Sequence, residues 1–291
     1  MRHLHLNNTF PVILPIKNAP LHHAASTSFV HWLASIPTWI YILSLIAILL
    51  LPSFAYAVAG SGDYNAFAIL VKWMPLLITK GFLMNVIISF LTMLVGTIMG
   101  IFLGMGQISP HSLIRRVSIT ITQIFRNSPW LVLLFIVMLS FPFEIHIGEY
   151  TIPFPDWFKA VIGLSLPLMA NVAEIVRGAI QSVPTGQWEA SESLAFSRHQ
   201  TLWKVILPQT IKRMIPPWMN WYAIMTMATP LVSLLGVTEV VNLSRQAMEA
   251  ENNNPALLVP FYGFCLIIFF LYTYPIARLT IRLEKKFAVN L

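Results

Sequence analysis

Charge is scarce in this chain. Of its 291 residues only 10% are Asp, Glu, Lys or Arg, against 57% hydrophobic, and the mean hydropathy is +0.72. Water-facing domains carry about 25% charged residues, so a soluble globular fold is excluded: too little charge is available to cover its surface. Cysteine is scarcer still. Cys265 stands alone in an apolar run, which excludes an intrachain disulfide and leaves a small packing residue. Signatures of catalysis are missing too. No Gly-Lys dipeptide occurs, so there is no phosphate-binding loop, and neither a His-Glu-x-x-His zinc motif nor a Gly-x-Ser-x-Gly elbow is present.

What the chain does have is long apolar runs. Several approach the roughly 20 residues that a helix needs to cross a hydrocarbon core of about 30 Å. The pattern predicts an all-α polytopic membrane protein with about six transmembrane helices, near Trp39–Ala59, Phe82–Gly106, Val117–Phe141, Trp157–Ile180, Arg213–Gly236 and Ala256–Ala277.

The formal net charge of +7 is distributed unevenly between the connections. Arg115 and Arg116 follow the second span, Arg198, Lys204, Lys212 and Arg213 the fourth, and Arg278, Arg282, Lys285 and Lys286 the sixth. The opposite connections hold Asp63, Glu144, Glu149, Asp156, Glu239, Glu249 and Glu251. By the positive-inside rule both termini are expected in the cytoplasm. The basic balance is a topology signal, and no nucleic-acid partner follows from it.

Residues 1–38 are less hydrophobic and hold His3, His5, His22, His23 and His31, whose spacing fits no ordered metal-ligand set; a cytoplasmic tail is expected there. The apolar segment at 39–59 ends in Ala55-Tyr56-Ala57, a form found at signal-peptidase sites. Because 38 residues precede it, without a strongly basic leading region, a retained extra N-terminal span is expected rather than a cleaved signal.

Within the second span Gly96, Gly100 and Gly104 recur every four residues and lie along one helix face, where another helix can approach closely. Ionisable residues inside a membrane are costly and tend to mark function. Glu174 is the clearest, with Arg177 three residues on and able to pair with it. Two roles stay open for Glu174: a structural ion pair near the cytoplasmic end, or a face on a polar translocation route. Arg126, towards the same end of its own span, is placed to snorkel to the interface.

Between the fourth and fifth spans lies a polar, helix-prone stretch, "GQWEASESLAFSRHQTLWKVILPQTIKRMIPP", from Gly186 to Pro217. Gln187–Leu194 reads as a short helix with Glu189 and Glu192 in its early turns, and Ala195-Phe196 as a break. Ser197-Arg198-His199-Gln200 has the form of a capping box. A second short helix should then stop before Pro208, because a residue preceding proline resists the α region. Two short helices set at an angle fit a surface-lying pair, a lid, or a docking knob for another subunit.

The pattern Glu189-Ala190-Ser191, position 195, then Val205-x-Leu207-Pro208 resembles the cytoplasmic loop motif of binding-protein-dependent ABC importer permeases, Glu-Ala-Ala-x-x-x-Gly, nine residues, Ile-x-Leu-Pro. "FRNSPWLVLLF", "AEIVRGAIQSVPTGQWEA", "ILPQTIKRMIPPWMN" and "PLVSLLGVTEV" resemble its polar amino acid branch, so the likeness runs from about Gly81 to Glu284. It implies a type I importer permease domain over 79–284 with a two-helix coupling loop at 184–212, and a short cytoplasmic tail at 285–291.

The resemblance further implies a non-enzymatic permease subunit for amino acids or similar small polar solutes, in a bacterial cytoplasmic membrane. Its partners would be ABC ATPase subunits that carry the ATP and Mg, a periplasmic solute-binding protein, and a second permease subunit, identical or related. Glu189, Ala190, Ser191, Ala195, Val205, Leu207 and Pro208 would form the joint to the ATPase. Asn171, Glu174, Thr226 and Thr229 are the candidates for lining the route.

Two departures stand out. Ala195 replaces the motif's glycine, where a turn of positive φ would resist alanine by roughly 1 kcal/mol. Met227-Ala228-Thr229-Pro230-Leu231 stands where the family often has Lys-Asp-Thr-Ser-Leu. They keep a non-transporting scaffold as one alternative. A secondary transporter or channel is the other, though it would call for inverted repeats or more embedded charge.

Overall fold

A computed structural model describes residues 65–147 and 150–287, all within one compact unit that spans 53–291. The tail at 1–38, the expected span at 39–59 and the last residues of the C-terminal tail lie outside the described residues. The elements are α1 (Ala66–Gln107), α2 (Ser112–Asn127), α3 (Trp130–Ser140), a hairpin of β1 (Glu144–Ile147) and β2 (Tyr150–Pro153), α4 (Asp156–Gln181), α5 (Thr185–Ser193), α6 (Arg198–Leu235), α7 (Val240–Ala250) and α8 (Leu258–Phe287). By length and composition α1, α4 and α8 can each cross a membrane; with the bent pairs α2–α3 and α6–α7 each taken as one span, five crossings are described.

Three boundaries differ from the sequence reading, each at a proline. The second span does not begin at Phe82. Its helix starts at Ala66, holds Pro75 within its first α-helical stretch, and continues through a π turn at Leu77–Phe82. The Pro75 carbonyl accepts a hydrogen bond from the Thr79 hydroxyl at 2.7 Å. At 42 residues α1 is roughly 60 Å long, about twice the hydrocarbon thickness.

The third span is not one helix. α2 and α3 meet at 103°, with Ser128 and Pro129 in extended backbone. Proline cannot donate to the preceding turn and pushes its predecessor out of the α region. The fifth span also begins earlier than Arg213, because the second short helix does not stop before Pro208. A π turn at Thr201–Ile206 carries it straight on, so the second half of the expected coupling pair is the opening of α6. Local rewinding of this kind re-aims the hydrogen-bond ladder around a residue with no N–H.

The centre of the fold is the contact between α1 and α4. Gly96 lies against Leu168, Gly100 against Val172 and Gly104 against Val176. Residue numbers rise together on both helices, so the two run parallel. A β-carbon at Gly100 would stand 2.6 Å from the Val172 Cβ, closer than real side chains approach. On the other face of α4, Gly163 admits Leu134 of α3. A second core lies along the N-terminal half of α1, where Leu70, Leu77 and Phe82 pack with Val240, Ala247 and Met248 of α7 and Phe261 of α8.

Candidate functional site

Helix α4 carries Asn171, Glu174 and Arg177 down towards the end where α5 begins. The Arg177 guanidinium donates to both carboxylate oxygens of Glu174, at 2.6 and 3.4 Å, and to Gln181 at 2.8 Å. Arg126 of α2 approaches the same carboxylate at 3.6 Å while staying about half exposed. Glu174 thus answers two guanidinium groups from two helices.

The Glu174 and Arg126 side chains line an open cavity of about 510 Å³, bounded also by Asn171, Ser182, Arg213 and Trp221. The Asn171 side-chain amide donates to the Pro167 carbonyl at 2.8 Å, one turn back on the same helix. Trp221 also lies 6.0 Å, centroid to centroid, from Trp130 at the start of α3. Thr226 and Thr229 are placed elsewhere. Both are fully buried, with hydroxyls donating to the carbonyls of Tyr222 and Thr226.

The polar segment follows directly. α5 starts at Thr185, two residues earlier than expected, so Glu189 sits in its second turn and Glu192 in its last, without the early-turn dipole support read from sequence. At its end Leu194 N–H bonds to Ala190 O, Ala195 N–H to Glu192 O and Phe196 N–H to Ser191 O. The last two bonds form a Schellman turn. Ala195 occupies its left-handed position at φ 57°, so the turn is formed with alanine in place of glycine.

The capping box is present in both directions: Ser197 N–H donates to Gln200 Oε1 at 2.8 Å, and Gln200 N–H to Ser197 Oγ at 3.3 Å. One further bond ties the segment to the body of α6, and two more join α6 to the end of α4 beside it. Gln209 donates to Gln187 at 3.3 Å, and Arg213 donates to the Ser182 carbonyl and hydroxyl.

The seven positions carried over for the joint divide by exposure. Glu189, Ala190, Ala195 and Pro208 are exposed, Val205 and Leu207 half-buried, and Ser191 buried. Around them Leu194 is 70% and Trp203 56% exposed, large apolar side chains on an otherwise polar surface. A notch of about 300 Å³ lies between the two helices, lined by Trp188, Glu192, Phe196, Arg198 and Thr201.

Two polar clusters escaped the sequence reading. Lys159 is fully buried, 3.1 Å from Asp156 and 3.8 Å from the centre of the Phe143 ring. Glu239, read only as a loop acid, is also fully buried, and caps α7 by accepting from Val241 N–H and Asn242 N–H. Asn85, singled out by no motif, donates to it at 2.9 Å. The available signal was Glu239 three residues before Asn242 and directly ahead of an amphipathic run, the spacing of a helix cap.

Residues 96–282 match the family described as the binding-protein-dependent transport system inner membrane component. The chain is 38% identical over 164 residues to a probable amino-acid ABC transporter permease protein, YckA, of Bacillus subtilis, covering 56% of this chain and 70% of that protein. It is 33% identical over 179 residues to the L-cystine transport system permease protein TcyB of the same organism, covering 61% and 72%. Among solved structures it is similar to an amino acid ABC transporter with histidines, at a TM-score of 0.66 and 26% identity, over 77% of this chain and all of that one. The fold is shared with the MetNI methionine transporter, at a TM-score of 0.58 and 16% identity, over 74% and 98%.

Proposed function

This chain belongs to the family of binding-protein-dependent transport system inner membrane components, and from that premise we propose that it is the membrane subunit of an ATP-driven importer of amino acids. It carries no hydrolytic site of its own; in such permeases ATP is hydrolysed by a separate subunit. The observation that carries the reading is the exposed segment at 185–206. Its turn, its capping box and the Gln209–Gln187 tie to α6 hold Glu189, Ala190, Leu194 and Trp203 outward as a knob.

In this proposal the knob sits in a groove of the ATPase subunit, and closure of that subunit is passed directly along α6. The continuity of α6 through Pro208 favours this, since a push on Arg198 need cross no loop before it reaches Thr226. The end carrying 182–206, the C-terminus of the chain and its N-terminus face the cytoplasm, in keeping with the placement of Arg and Lys. A binding protein delivers solute at the opposite end, and a second permease subunit completes the pathway.

The route candidates enter the proposal in two groups. Asn171 and Glu174 line the cavity beside α6 and meet solute there; Thr226 and Thr229 act from behind the wall. An importer works only if ATP binding favours one arrangement of the bundle over another. The test is reconstitution in liposomes with the candidate ATPase and binding protein, followed by uptake of radiolabelled amino acids. ATP-dependent uptake of one of them supports the reading. A purified complex that forms yet moves no amino acid would overturn the solute class, and failure of the ATPase to bind would overturn the subunit assignment.

A further inference from the structure

The fifth span is interrupted where it would be expected to be stiffest. After Ala228 the helix tightens into a 3₁₀ run over Thr229–Leu235, ends on Gly236 at φ 83°, and resumes at Val240 with its axis turned by 47°. Runs of 3₁₀ helix longer than three or four residues are uncommon, and inside a longer helix they mark hinges. Seven residues of it followed by a left-handed glycine form a joint, with the body of α6 on one side and α7 on the other.

One side chain bridges that joint. The Asn85 amide nitrogen donates to Thr229 Oγ1 at 2.9 Å, at the start of the 3₁₀ run, and to Glu239 Oε2 at 2.9 Å, beyond its end. Its carbonyl oxygen accepts from Val240 N–H at 3.1 Å. Asn85, Thr229 and Glu239 are all fully buried, so no solvent competes for these bonds.

Both sides have further ties to α1, and the body of α6 has one: the Trp218 indole donates to Thr97 Oγ1 at 2.7 Å, well away from the joint. α7 is fixed twice more: Gly81 brings the α1 backbone against Val240, and Glu251 accepts from Lys72 at 2.9 Å and from the Trp73 indole at 3.0 Å. The Thr229 side of the joint is held to Asn85 by one neutral hydrogen bond. Broken, that bond frees Thr229 while its hydroxyl keeps the Thr226 carbonyl.

We propose that Asn85 is a positioning residue for the transport cycle: it holds the hinge at 229–236 closed, and the body of α6 swings away from it while α7 stays with α1. The proposal rests on the importer reading for its place in a cycle, and its chemistry is that of one exchangeable hydrogen bond in a dry site. In such a site a deleted bond shifts the balance between the two arrangements by about fivefold.

The experiment uses the full chain assembled with its ATPase, with Cys265→Ala and paired spin labels. Met227→Cys with Ala250→Cys reports across the hinge, and Phe67→Cys with Ala250→Cys reports α1 against α7; Phe67, Met227 and Ala250 are exposed. Between the nucleotide-free and ATP-trapped complexes the first distance should change by about 5 Å, the scale of a one-turn helix displacement, and the second should hold. In a Thr229→Val background the ratio of the two populations should move about fivefold away from the arrangement in which Asn85 bonds Thr229, and Thr229→Ser should restore it.

A cross-hinge distance that stays fixed while the complex hydrolyses ATP would overturn the hinge. So would a change in the Phe67–Ala250 distance of equal size, or equal shifts from the Val and Ser variants. If Thr229→Val does not assemble, the two label pairs in the parent chain decide alone. Loss of the importer reading would show separately, as an assembled complex in which no solute changes hydrolysis.

Discussion

Arg126 and Arg177 reach one carboxylate, Glu174, from different helices, at 3.6 and 2.6 Å. The arrangement makes the contacts unequal. Arg177 is on the same helix and hydrogen-bonds in fork geometry, whereas Arg126 is half exposed and beyond hydrogen-bond reach. Coupling between Glu174 and Arg177 in a double-mutant cycle should therefore be about 1 kcal/mol or more, and between Glu174 and Arg126 only a few tenths. Denaturation midpoints of the detergent-solubilised single and double alanine variants check this.

Packing between α1 and α4 should show an opposite pair of responses to one substitution. Gly100→Ala places a methyl group 2.6 Å from Val172 Cβ and should cost about 1–3 kcal/mol through forced separation of the helices. Gly178→Ala, on α4 with no atom within 4 Å of the added group, should gain about 0.5–1 kcal/mol from helix propensity. Thermal melts of the two variants would have opposite signs.

The Lys159–Asp156 pair predicts an asymmetry. Lys159 is fully buried and Asp156 is 37% exposed. Asp156→Ala leaves an ammonium with only the Phe143 ring, and should cost about 2 kcal/mol or more. Lys159→Met keeps the volume, removes the buried charge and leaves a carboxylate that water can reach, so its cost should stay under about 1 kcal/mol. Equal losses for the two variants in chemical unfolding would contradict it.

At Ala195 the left-handed φ of 57° is held by neighbouring bonds at an expense to the residue. Ala195→Gly should stabilise the turn by about 1 kcal/mol without altering its shape. The readout is slower hydrogen exchange at the amides of Ala195 and Phe196, whose bonds close the turn.

Much of this was legible from residue types. The glycine stripe, the capping box at Ser197–Gln200 and the Glu174–Arg177 pair depend on spacing along one helix, which sequence carries directly. What escaped it depends on neighbours far along the chain or on how a helix negotiates proline. Pro75 lies inside α1 and Pro208 inside α6, while Pro129 breaks the third span, so the presence of a proline does not by itself decide the outcome. Asn85 and Glu239 stand 154 positions apart, so no local pattern could pair them. Ala195 shows the opposite limit: the turn the motif requires is formed although the residue that favours it is absent.

The measurement that bears most directly on the importer reading is solute-stimulated ATP hydrolysis by the reconstituted complex, with and without Glu189→Lys. Glu189 is exposed on α5 and makes no side-chain bond that the fold depends on, so the variant should assemble normally in the membrane. The account predicts that one amino acid, carried by the binding protein, stimulates hydrolysis by the parent complex and that Glu189→Lys abolishes the stimulation. Full stimulation in the variant would contradict the placing of the joint at 185–206.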